Sequence, residues 1–385
     1  MPADRLHHIP FSGIREVFEE CDRLEARGED IVHLEIGRPD FDTPAPIKEA
    51  AVEALDAGHV HYTSNWGIAP LREAIADKFA TENDVRYDHT DEVIVTTGAT
   101  EAVLVTVLAQ VDAGDEVLVP DPCWTYEPSI RMAGAEPVFY RLDPADGFQP
   151  DLDSLSANVS ADTALMIVNT PHNPTGAMLT PDRAAALRDF AVSNDLLVLS
   201  DEIYEQIRFD REHVSLASLD GMFDRTVTVN GFSKAYSMTG WRLGYLAAPA
   251  SLAAEIVRIR QFTTTCAPSF AQHAGVRALS GDLSAPMVEA FGNRRDRVVE
   301  RVADVPGMTC PDPAGAFYAF PTAPDVADDG ESFVWSLLRE QGVALVPGSV
   351  FSPVHDDRVR IAFSNSTERI DEAFDRIEAW VAERS

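Results

Sequence analysis

The sequence predicts an α/β fold, in which a large domain with a mostly parallel sheet is covered by helices and accompanied by a smaller α+β domain. Short apolar runs recur through the middle of the chain, at 93–96, 116–119, 164–168, 196–199 and 226–229. Helical patterns separate most of these runs, and such alternation is typical of a parallel sheet covered on both faces. After Gly307 shorter strand-like and helical stretches follow one another, which indicates the smaller domain.

The individual elements are predicted from the spacing of apolar residues and from turn residues. The predicted helices are 11–28, 46–57, 70–81, 100–111, 126–133, 181–194, 252–263, 268–279, 286–301, 331–341 and 367–382. Besides the five central runs, the predicted strands are 31–36, 316–320, 343–346 and 359–363.

The domain boundaries follow from this order of elements. We expect residues 1–45 to form an N-terminal arm and part of the small domain, 46–285 the large domain that binds the ligand, and 286–385 the small C-terminal domain. Because no low-complexity linker interrupts the chain, we expect the domains to pack against each other.

The charge of the chain excludes some classes of partner. The 385 residues carry a formal net charge of −32, and only three of the 31 basic residues are lysines, at 48, 78 and 234. A field of this sign repels nucleic acids and anionic membranes, so neither is expected as a partner. A dense carboxylate surface with arginine in place of lysine indicates a halophilic protein, because concentrated salt screens the self-repulsion; an acidic mesophilic protein is the alternative.

Other sequence features bear on location and metal binding. No stretch approaches the run of about 20 apolar residues that a membrane helix needs, and the polar N-terminus has no apolar signal core. We therefore expect a cytoplasmic protein. The four cysteines have no paired spacing, so neither a disulfide framework nor a metal site is expected.

Polar and aromatic residues follow each of the five central runs. They are Gly98-Ala99-Thr100, Asp121 to Trp124, Asn169 to Asn173, Asp201 to Tyr204, and Ser233-Lys234. In parallel sheets ligands bind beyond the carboxyl ends of the strands, so these residues are expected at one rim. The stretch 229–245 adds Arg242, eight residues after Lys234. A lysine among small residues can form a Schiff base with a carbonyl cofactor, and an arginine can hold a phosphate or carboxylate.

Several segments together resemble one known family. The segment Gly-Phe-Ser-Lys-Ala-Tyr-Ser-Met-Thr-Gly-Trp-Arg-Leu-Gly (231–244) resembles the lysine signature of the class I/II aminotransferases, which are fold type I pyridoxal phosphate enzymes. Asn-Thr-Pro-His-Asn-Pro-Thr-Gly (169–176) is similar to a second family segment. Further matches at 34–44, 61–63 with Gly67, and 359–363 follow in family order, so the likeness extends from about residue 10 to 380.

The resemblance implies roles at a pyridoxal 5′-phosphate site. Lys234 would bind the cofactor aldehyde and move the substrate proton, and Asp201 would pair with the protonated pyridine nitrogen. Tyr204 and Asn173 would hydrogen-bond the phenolate oxygen, and Trp124 would stack on the ring. From residue type alone, Asp201 could instead be a helix cap, Asn173 a turn residue, and the two aromatic residues core residues.

The same resemblance implies a phosphate cradle. Gly98, Ala99 and Thr100 open a helix, whose N–H groups and dipole favour an anion, and Arg242 would complete the cradle. Relatives often have a phosphate-binding serine three residues before the lysine, where this chain has Gly231, so Ser233 is the candidate replacement if its side chain points inward.

Tyr62 resembles the tyrosine that relatives donate to the phosphate of the neighbouring subunit. This implies a homodimer with shared active sites; a surface or core tyrosine within its own chain is the alternative.

For the substrate, Arg360 would clamp the α-carboxylate, and Gly37, Trp124 and Asn173 would also contact the bound amino acid. An arginine within an apolar strand is costly unless paired, which favours this role.

The resemblance thus implies an aminotransferase that moves an amino group between an L-amino acid, aspartate first, and a 2-oxo acid such as 2-oxoglutarate. Aromatic, methionine or glutamine substrates are alternatives, because the Pro-His-Asn-Pro-Thr-Gly variant also occurs in enzymes for those amino acids. A carbon–sulfur β-lyase could use the same lysine and cofactor. A binding protein without catalysis is disfavoured, because every main catalytic position is filled.

Overall fold

The computed structural model describes residues 3–9 and 11–385, and this part of the chain forms an α/β fold. Its α-helices are α1 (Gly13–Glu25), α2 (Ala45–Asp56), α3 (Ala69–Glu82), α4 (Ala99–Gln110), α5 (Tyr126–Ala133), α6 (Leu152–Asn158), α7 (Pro181–Ser193), α8 (Ala250–Arg260), α9 (Ser269–Ala278), α10 (Ala285–Asp304), α11 (Gly330–Gln341) and α12 (Thr367–Ala382). Its strands are β1 (Val32–His33), β2 (Val93–Thr96), β3 (Glu116–Asp121), β4 (Glu136–Asp143), β5 (Gln149–Pro150), β6 (Thr163–Asn169), β7 (Leu197–Asp201), β8 (Thr226–Gly231), β9 (Gly244–Ala247), β10 (Tyr318–Ala319), β11 (Val343–Ala344), β12 (Val346–Pro347) and β13 (Val359–Ala362).

Eight strands form the main sheet, in the order β2-β9-β8-β7-β6-β3-β4-β5. The neighbours from β8 to β4 are parallel to each other. Strand β9 is antiparallel to both β8 and β2, so β2 runs in the same direction as β8. The prediction of a mostly parallel sheet is therefore confirmed, and the carboxyl ends of the five predicted central strands lie at one edge.

Alternate residues of the central strands face opposite sides of the sheet. In β3, Val117 and Val119 pack in one apolar core with residues of α4, α5 and α8. Leu118 belongs to a second core that includes Leu187 of α7. Burial on both faces explains why the central strands appear in the sequence as continuous apolar runs.

A separate core gathers the C-terminal elements around two small sheets. One sheet has the order β10-β13-β12, and the other pairs β1 with β11, with Val32 opposite Val343 in a parallel register. Their apolar residues pack with those of α10, α11 and α12. Strand β1, which follows α1, thus pairs with a strand about 300 residues later in the chain. The residues after β1 then lie near the carboxyl-end rim of the main sheet, where 36–38 line a cavity.

Some predicted elements differ from the structure. The predicted strand 31–36 is only Val32–His33, 316–320 contains only Tyr318–Ala319, and 343–346 is divided between β11 and β12. Strands β4, β5 and β9 and helix α6 were not predicted. Only two of the eight residues of β4 are buried, unlike those of the central strands, and β9 contains only four residues, two of them Gly and Ala.

Within the described residues, no helix is long and apolar enough to cross a membrane.

Candidate active site

A cavity of about 610 Å³ lies at the carboxyl ends of the parallel strands. The predicted site residues that line it are Gly37, Ala99, Thr100, Trp124, Asn173, Asp201, Tyr204, Ser233, Lys234, Arg242 and Arg360. Gly98 is not part of the lining, but it lies next to the guanidinium of Arg242. Tyr62 is not part of this wall; its side chain is 87% exposed on the surface.

Lys234 lies in the loop that follows β8. Its Nζ donates a hydrogen bond of 2.6 Å to the carbonyl oxygen of Gly37 and lies 5.5 Å from the ring centroid of Tyr204. Burial, together with the nearby charges of Arg360 and Arg242, lowers the pKa of Lys234 to about 8. A substantial fraction of the amine is therefore unprotonated in mildly alkaline solution, which is the form that attacks a carbonyl carbon.

Asp201 ends β7 and is buried beneath the cavity. Tyr126 donates to its Oδ2 at 2.7 Å, and the backbone N–H of Ile203 donates to its Oδ1 at 3.2 Å. Burial raises the pKa of Asp201 to about 6 despite these two donors. A buried carboxylate with no guanidinium or ammonium partner in contact is suited to a cationic group of a ligand.

Arg360 of β13 is also buried, at 2% exposure. Its Nη1 donates to Oδ1 of Asn173 at 3.1 Å, and its Nη2 donates to the carbonyl oxygen of Glu35 at 2.6 Å. Its Nε has no protein partner. Its Cζ lies 4.7 Å from the ring centroid of Tyr318 and 4.9 Å from that of Phe351. The group is thus held in one orientation and keeps hydrogen-bonding capacity for an anion.

Two tyrosines form a hydrogen-bonded pair at the cavity wall. The hydroxyl groups of Tyr204 and Tyr318 are 3.0 Å apart. Burial, with Tyr318 beside it, holds the pKa of Tyr204 well above its ordinary value, so its phenol stays protonated and can donate to a ligand oxygen. Gly37 packs so closely against this pair that an added Cβ would overlap the hydroxyl oxygen of Tyr318.

The start of α4 forms an anion cradle with Arg242. Gly98 caps the helix with a φ of +81°, and an added Cβ there would lie 2.6 Å from Nη2 of Arg242. Only glycine therefore lets the guanidinium approach the free N–H groups of this helix end.

Gly231 faces a similar constraint, since an added Cβ would lie 3.0 Å from Cα of Gly244. The close approach of β8 and β9 explains why this position has no side chain. Ser233 lines the cavity instead.

The charge of the cavity is opposite to that of the whole chain. Its lining includes five basic side chains, those of Arg15, Arg38, Lys234, Arg242 and Arg360. Among the described residues that line it, Asp201 is the only carboxylate. Such a cavity attracts a ligand with several negative charges.

Eleven lining residues are absent from the predicted site set: Ile14, Arg15, Ile36, Arg38, Val103, Thr125, Tyr126, Asn169, Ile203, Thr239 and Tyr318. The two tyrosines lie in a predicted helix and a predicted strand, where an aromatic residue usually contributes to the core. Ile14 and Arg15 belong to α1, and only the fold brings this helix to the rim.

The residues of the cavity fit pyridoxal phosphate. The cradle at Gly98 and Arg242 supplies donors for a phosphate, Lys234 supplies an amine for an aldehyde, and Asp201 supplies an anion for a protonated ring nitrogen. Arg360 also lines the cavity, and its Nη1 and Nη2 each keep one N–H for a carboxylate beyond the bonds to Asn173 and Glu35.

Comparisons with known proteins agree with this chemistry. The family model "Aminotransferase class I and II" matches residues 29–377. The chain is 40% identical over 388 aligned residues to the aromatic-amino-acid aminotransferase 2 of Thermococcus litoralis, covering 99% of this chain and 98% of that protein. It has the same identity and coverage with the aspartate aminotransferase of Pyrococcus abyssi. The crystal structure of the aspartate aminotransferase of Thermotoga maritima superposes with a TM-score of 0.94 at 37% identity, covering 99% of this chain and 100% of that one.

The family match covers most of the chain, and the relatives match it over nearly their full lengths. The chain therefore belongs to the class I and II aminotransferases and is a pyridoxal phosphate-dependent transaminase of fold type I.

Proposed function

We propose that this enzyme transfers the amino group of an L-amino acid, aspartate first among them, to a 2-oxo acid such as 2-oxoglutarate. The observation that carries the proposal is the convergence of Lys234, Asp201 and Arg360 on one cationic cavity. Aspartate and 2-oxoglutarate each carry two carboxylates, which suits a cavity with five basic side chains and one acid. The relatives from P. abyssi and T. maritima are named aspartate aminotransferases.

The cofactor roles proposed for individual residues rest on their chemistry and positions. Bound pyridoxal phosphate supplies an electron sink that makes the proton on the substrate Cα labile. Asp201 would keep the ring nitrogen protonated, and Tyr204 and Asn173 would donate to the phenolate oxygen. The phosphate would be held by the residues of the cradle, which are Gly98, Ala99, Thr100, Ser233 and Arg242.

The protein's own groups would then perform the binding and proton transfer. Arg360, oriented by Asn173 and the carbonyl of Glu35, would bind the substrate α-carboxylate and so present the Cα–H bond to the amine of Lys234. Lys234, with its lowered pKa, would remove this proton from Cα and deliver it to the cofactor carbon C4′, two atoms away. Trp124 and Gly37 would enclose the substrate and exclude water.

A half-reaction screen tests the proposed activity. The cofactor-loaded enzyme is mixed with single L-amino acids, and the 2-oxo acid released is measured by mass spectrometry. We expect aspartate to give oxaloacetate in an amount equal to the enzyme, with further turnover only when 2-oxoglutarate is added. Faster conversion of phenylalanine or tyrosine would favour the aromatic alternative, which the name of the T. litoralis relative supports. Continuous release of pyruvate and ammonia from a cysteine thioether without any acceptor would favour a carbon–sulfur β-lyase.

We also infer a homodimer with shared active sites. Tyr62 and Phe262 are 87% and 85% exposed, so both large aromatic side chains offer surface that a partner chain would cover. The groove that contains Tyr62 also contains Thr97, the residue before the anion cradle. A second copy seated there would bring its own Tyr62 near the phosphate donors.

We also propose a division into domains. Residues 46–285 form the large domain, 286–385 form the small domain, and 1–45 form an N-terminal arm and part of the small domain.

The charge supports a halophilic enzyme, while the proposed cytoplasmic location rests on the sequence features given above. With a net charge of −32, self-repulsion is poorly screened in dilute buffer, because the Debye length falls from about 10 Å at 0.1 M salt to about 3 Å at 1 M. The melting temperature is expected to rise between dilute and molar potassium chloride. A flat or falling melting temperature would count against the halophilic part of the proposal.

A further inference from the structure

Three side chains with metal-binding groups meet between α1 and β1, outside the cavity lining. They are Cys21 of α1, His33 of β1 and Glu35, two residues later. The thiol sulfur, one ring nitrogen and one carboxylate oxygen all lie within 4.8 Å of one another. Both Cys21 and Glu35 are fully buried, so this group is enclosed between the two elements.

The carboxylate of Glu35 is only half satisfied by the protein. Its Oε1 lies 2.8 Å from Nδ1 of His33, but its Oε2 is buried and has no hydrogen-bond partner. Burying a carboxylate oxygen without a donor or a cation is costly. An ion bound beside Glu35 would give Oε2 the partner that the protein does not supply.

We propose that Cys21, His33 and Glu35 bind a divalent transition-metal ion, and that Zn²⁺ is the ion their chemistry suits best. A sulfur, a nitrogen and an oxygen ligand together match the borderline character of Zn²⁺, whereas Mg²⁺ and Ca²⁺ prefer oxygen ligands alone. Three protein ligands leave the fourth tetrahedral position for water. Binding releases the thiol proton and any proton on Nδ1 to solvent and separates His33 from Glu35 slightly, since both then contact the ion.

The other side of the imidazole ring supports this assignment. Nε2 of His33 lies 3.2 Å from Oε1 of Glu25, at the end of α1. Histidines that bind metals usually donate their second ring N–H to a carboxylate or carbonyl, which fixes the ring orientation. With Nδ1 facing Glu35 and Nε2 facing Glu25, His33 has this arrangement.

The site has a structural consequence for the cavity. An ion there would join α1, which carries Ile14 and Arg15 of the cavity wall, to the segment that carries Ile36 and Gly37. The carbonyl of Glu35 also accepts a hydrogen bond from Arg360. The ion would therefore stabilise two parts of the wall without contacting the substrate.

The experiment measures zinc retention by the tag-free, cofactor-loaded enzyme. The protein is incubated with zinc chloride, passed through a desalting column with a weak chelator, and analysed for zinc per chain. We expect about one ion per chain for the wild type and for Cys266→Ser, a matched cysteine control outside the cluster. Cys21→Ala and Glu35→Gln are each expected to lose most of this zinc, and zinc is expected to raise the melting temperature of the wild type but not of these variants.

A second measurement needs only the wild type, in case a core variant fails to fold. The enzyme is loaded with Co²⁺ or Zn²⁺, and the Co²⁺-minus-Zn²⁺ absorption difference is recorded, in which the cofactor contribution cancels. A sulfur-to-cobalt charge-transfer band is expected, because Cys21 would be a ligand. A wild type that retains no zinc, retains only as much as Cys21→Ala, or lacks the cobalt band would overturn the proposal and leave a hydrogen-bonded His33–Glu35 pair that needs no ion.

Discussion

The phenol of Tyr126 donates a hydrogen bond of 2.7 Å to Oδ2 of Asp201, while the backbone N–H of Ile203 occupies Oδ1. Both carboxylate oxygens are thus fixed by the protein beneath the cavity. Burial still raises the pKa of Asp201 to about 6, so the protein maintains a costly negative charge at this point. A ligand cation that pairs with Asp201 would recover that cost, which explains why the charge is kept.

Replacing Tyr126 with phenylalanine should weaken cofactor binding. The hydrogen bond from Tyr126 lowers the pKa of Asp201, so its loss makes the carboxylate less available as an anion near neutral pH. We expect the Kd for pyridoxal phosphate, measured by fluorescence titration of the cofactor-free protein, to rise about five- to tenfold.

Tyr140→Phe is the control for this prediction. Tyr140 is also fully buried and donates to a backbone carbonyl, that of Ile167, at 2.8 Å, but it does not line the cavity. Equal weakening by both substitutions would show that the effect is general loss of packing.

Replacing Asp201 with asparagine should stabilise the cofactor-free protein in a pH-dependent way. The pKa of Asp201 is raised from 3.8 to about 6, so the folded protein favours the protonated acid. The stability that the protonated carboxyl of Asp201 contributes is fully present below the pKa of the unfolded state, 3.8, and is lost as the pH rises through the folded-state pKa of about 6. By linkage, the asparagine variant should gain about 2 kcal/mol in free energy of unfolding, relative to wild type, between about pH 4 and pH 7. Urea unfolding at several pH values measures this difference, with the exposed Asp220→Asn as control. A difference that does not change with pH would contradict the buried-charge account.

Replacing Arg360 with lysine should impair use of the amino donor. Lysine cannot reproduce a planar guanidinium that bonds Asn173 and the Glu35 carbonyl while facing a carboxylate. We expect kcat/KM for the amino acid to fall about 100-fold, mainly through KM, in steady-state assays. Arg358→Lys is the control, because Arg358 packs on Phe148 and donates to the carbonyl of Phe320 outside the cavity lining. Similar kinetics for both variants would remove Arg360 from the proposed carboxylate site.

Mixed dimers test whether Tyr62 acts across a subunit boundary. Tyr62→Phe chains are combined with Lys234→Ala chains, so that the mixed dimer has one site with a lysine. If the tyrosine comes from the neighbouring chain, this site receives an intact Tyr62, and its cofactor affinity should return to the wild-type value. An affinity that stays at the value of the Tyr62→Phe homodimer would place the tyrosine's action within its own chain.

The parts of the fold that could be predicted are those in which burial leaves a simple pattern. The central strands are covered on both faces, so strands such as β6 appear as apolar runs, and the polar residues after them mark the rim. Strand β4 was missed because it is partly exposed. The short strands β1 and β10 form only where distant segments pair. The apolar residues that flank them led to predicted strands, 31–36 and 316–320, that are longer than the observed ones.

The site residues divide in a similar way. The placement of Lys234, Asp201 and Arg360 at the cavity could be predicted. The first two follow central strands whose carboxyl ends share one rim and lie in segments that resemble the family, and an arginine inside an apolar strand is costly unless paired. Tyr126 and Tyr318 could not, because an aromatic residue inside a helix or strand has the pattern of a core residue. Cys21 and His33 lie 12 residues apart on two different elements, so their proximity depends on how α1 packs and not on local spacing.

Covalent trapping of the cofactor tests the central claim most directly, because the chain has only three lysines. The cofactor-loaded enzyme is reduced with borohydride, digested and analysed by mass spectrometry for the pyridoxyl phosphate adduct. We predict that the adduct lies on Lys234, whose partly buried amine lines the cavity. Lys48 is paired with Asp42, and Lys78 is buried against Glu205, so neither should react. An adduct on Lys48 or Lys78, or no adduct on a fully loaded enzyme, would contradict the assignment of Lys234 and the mechanism built on it.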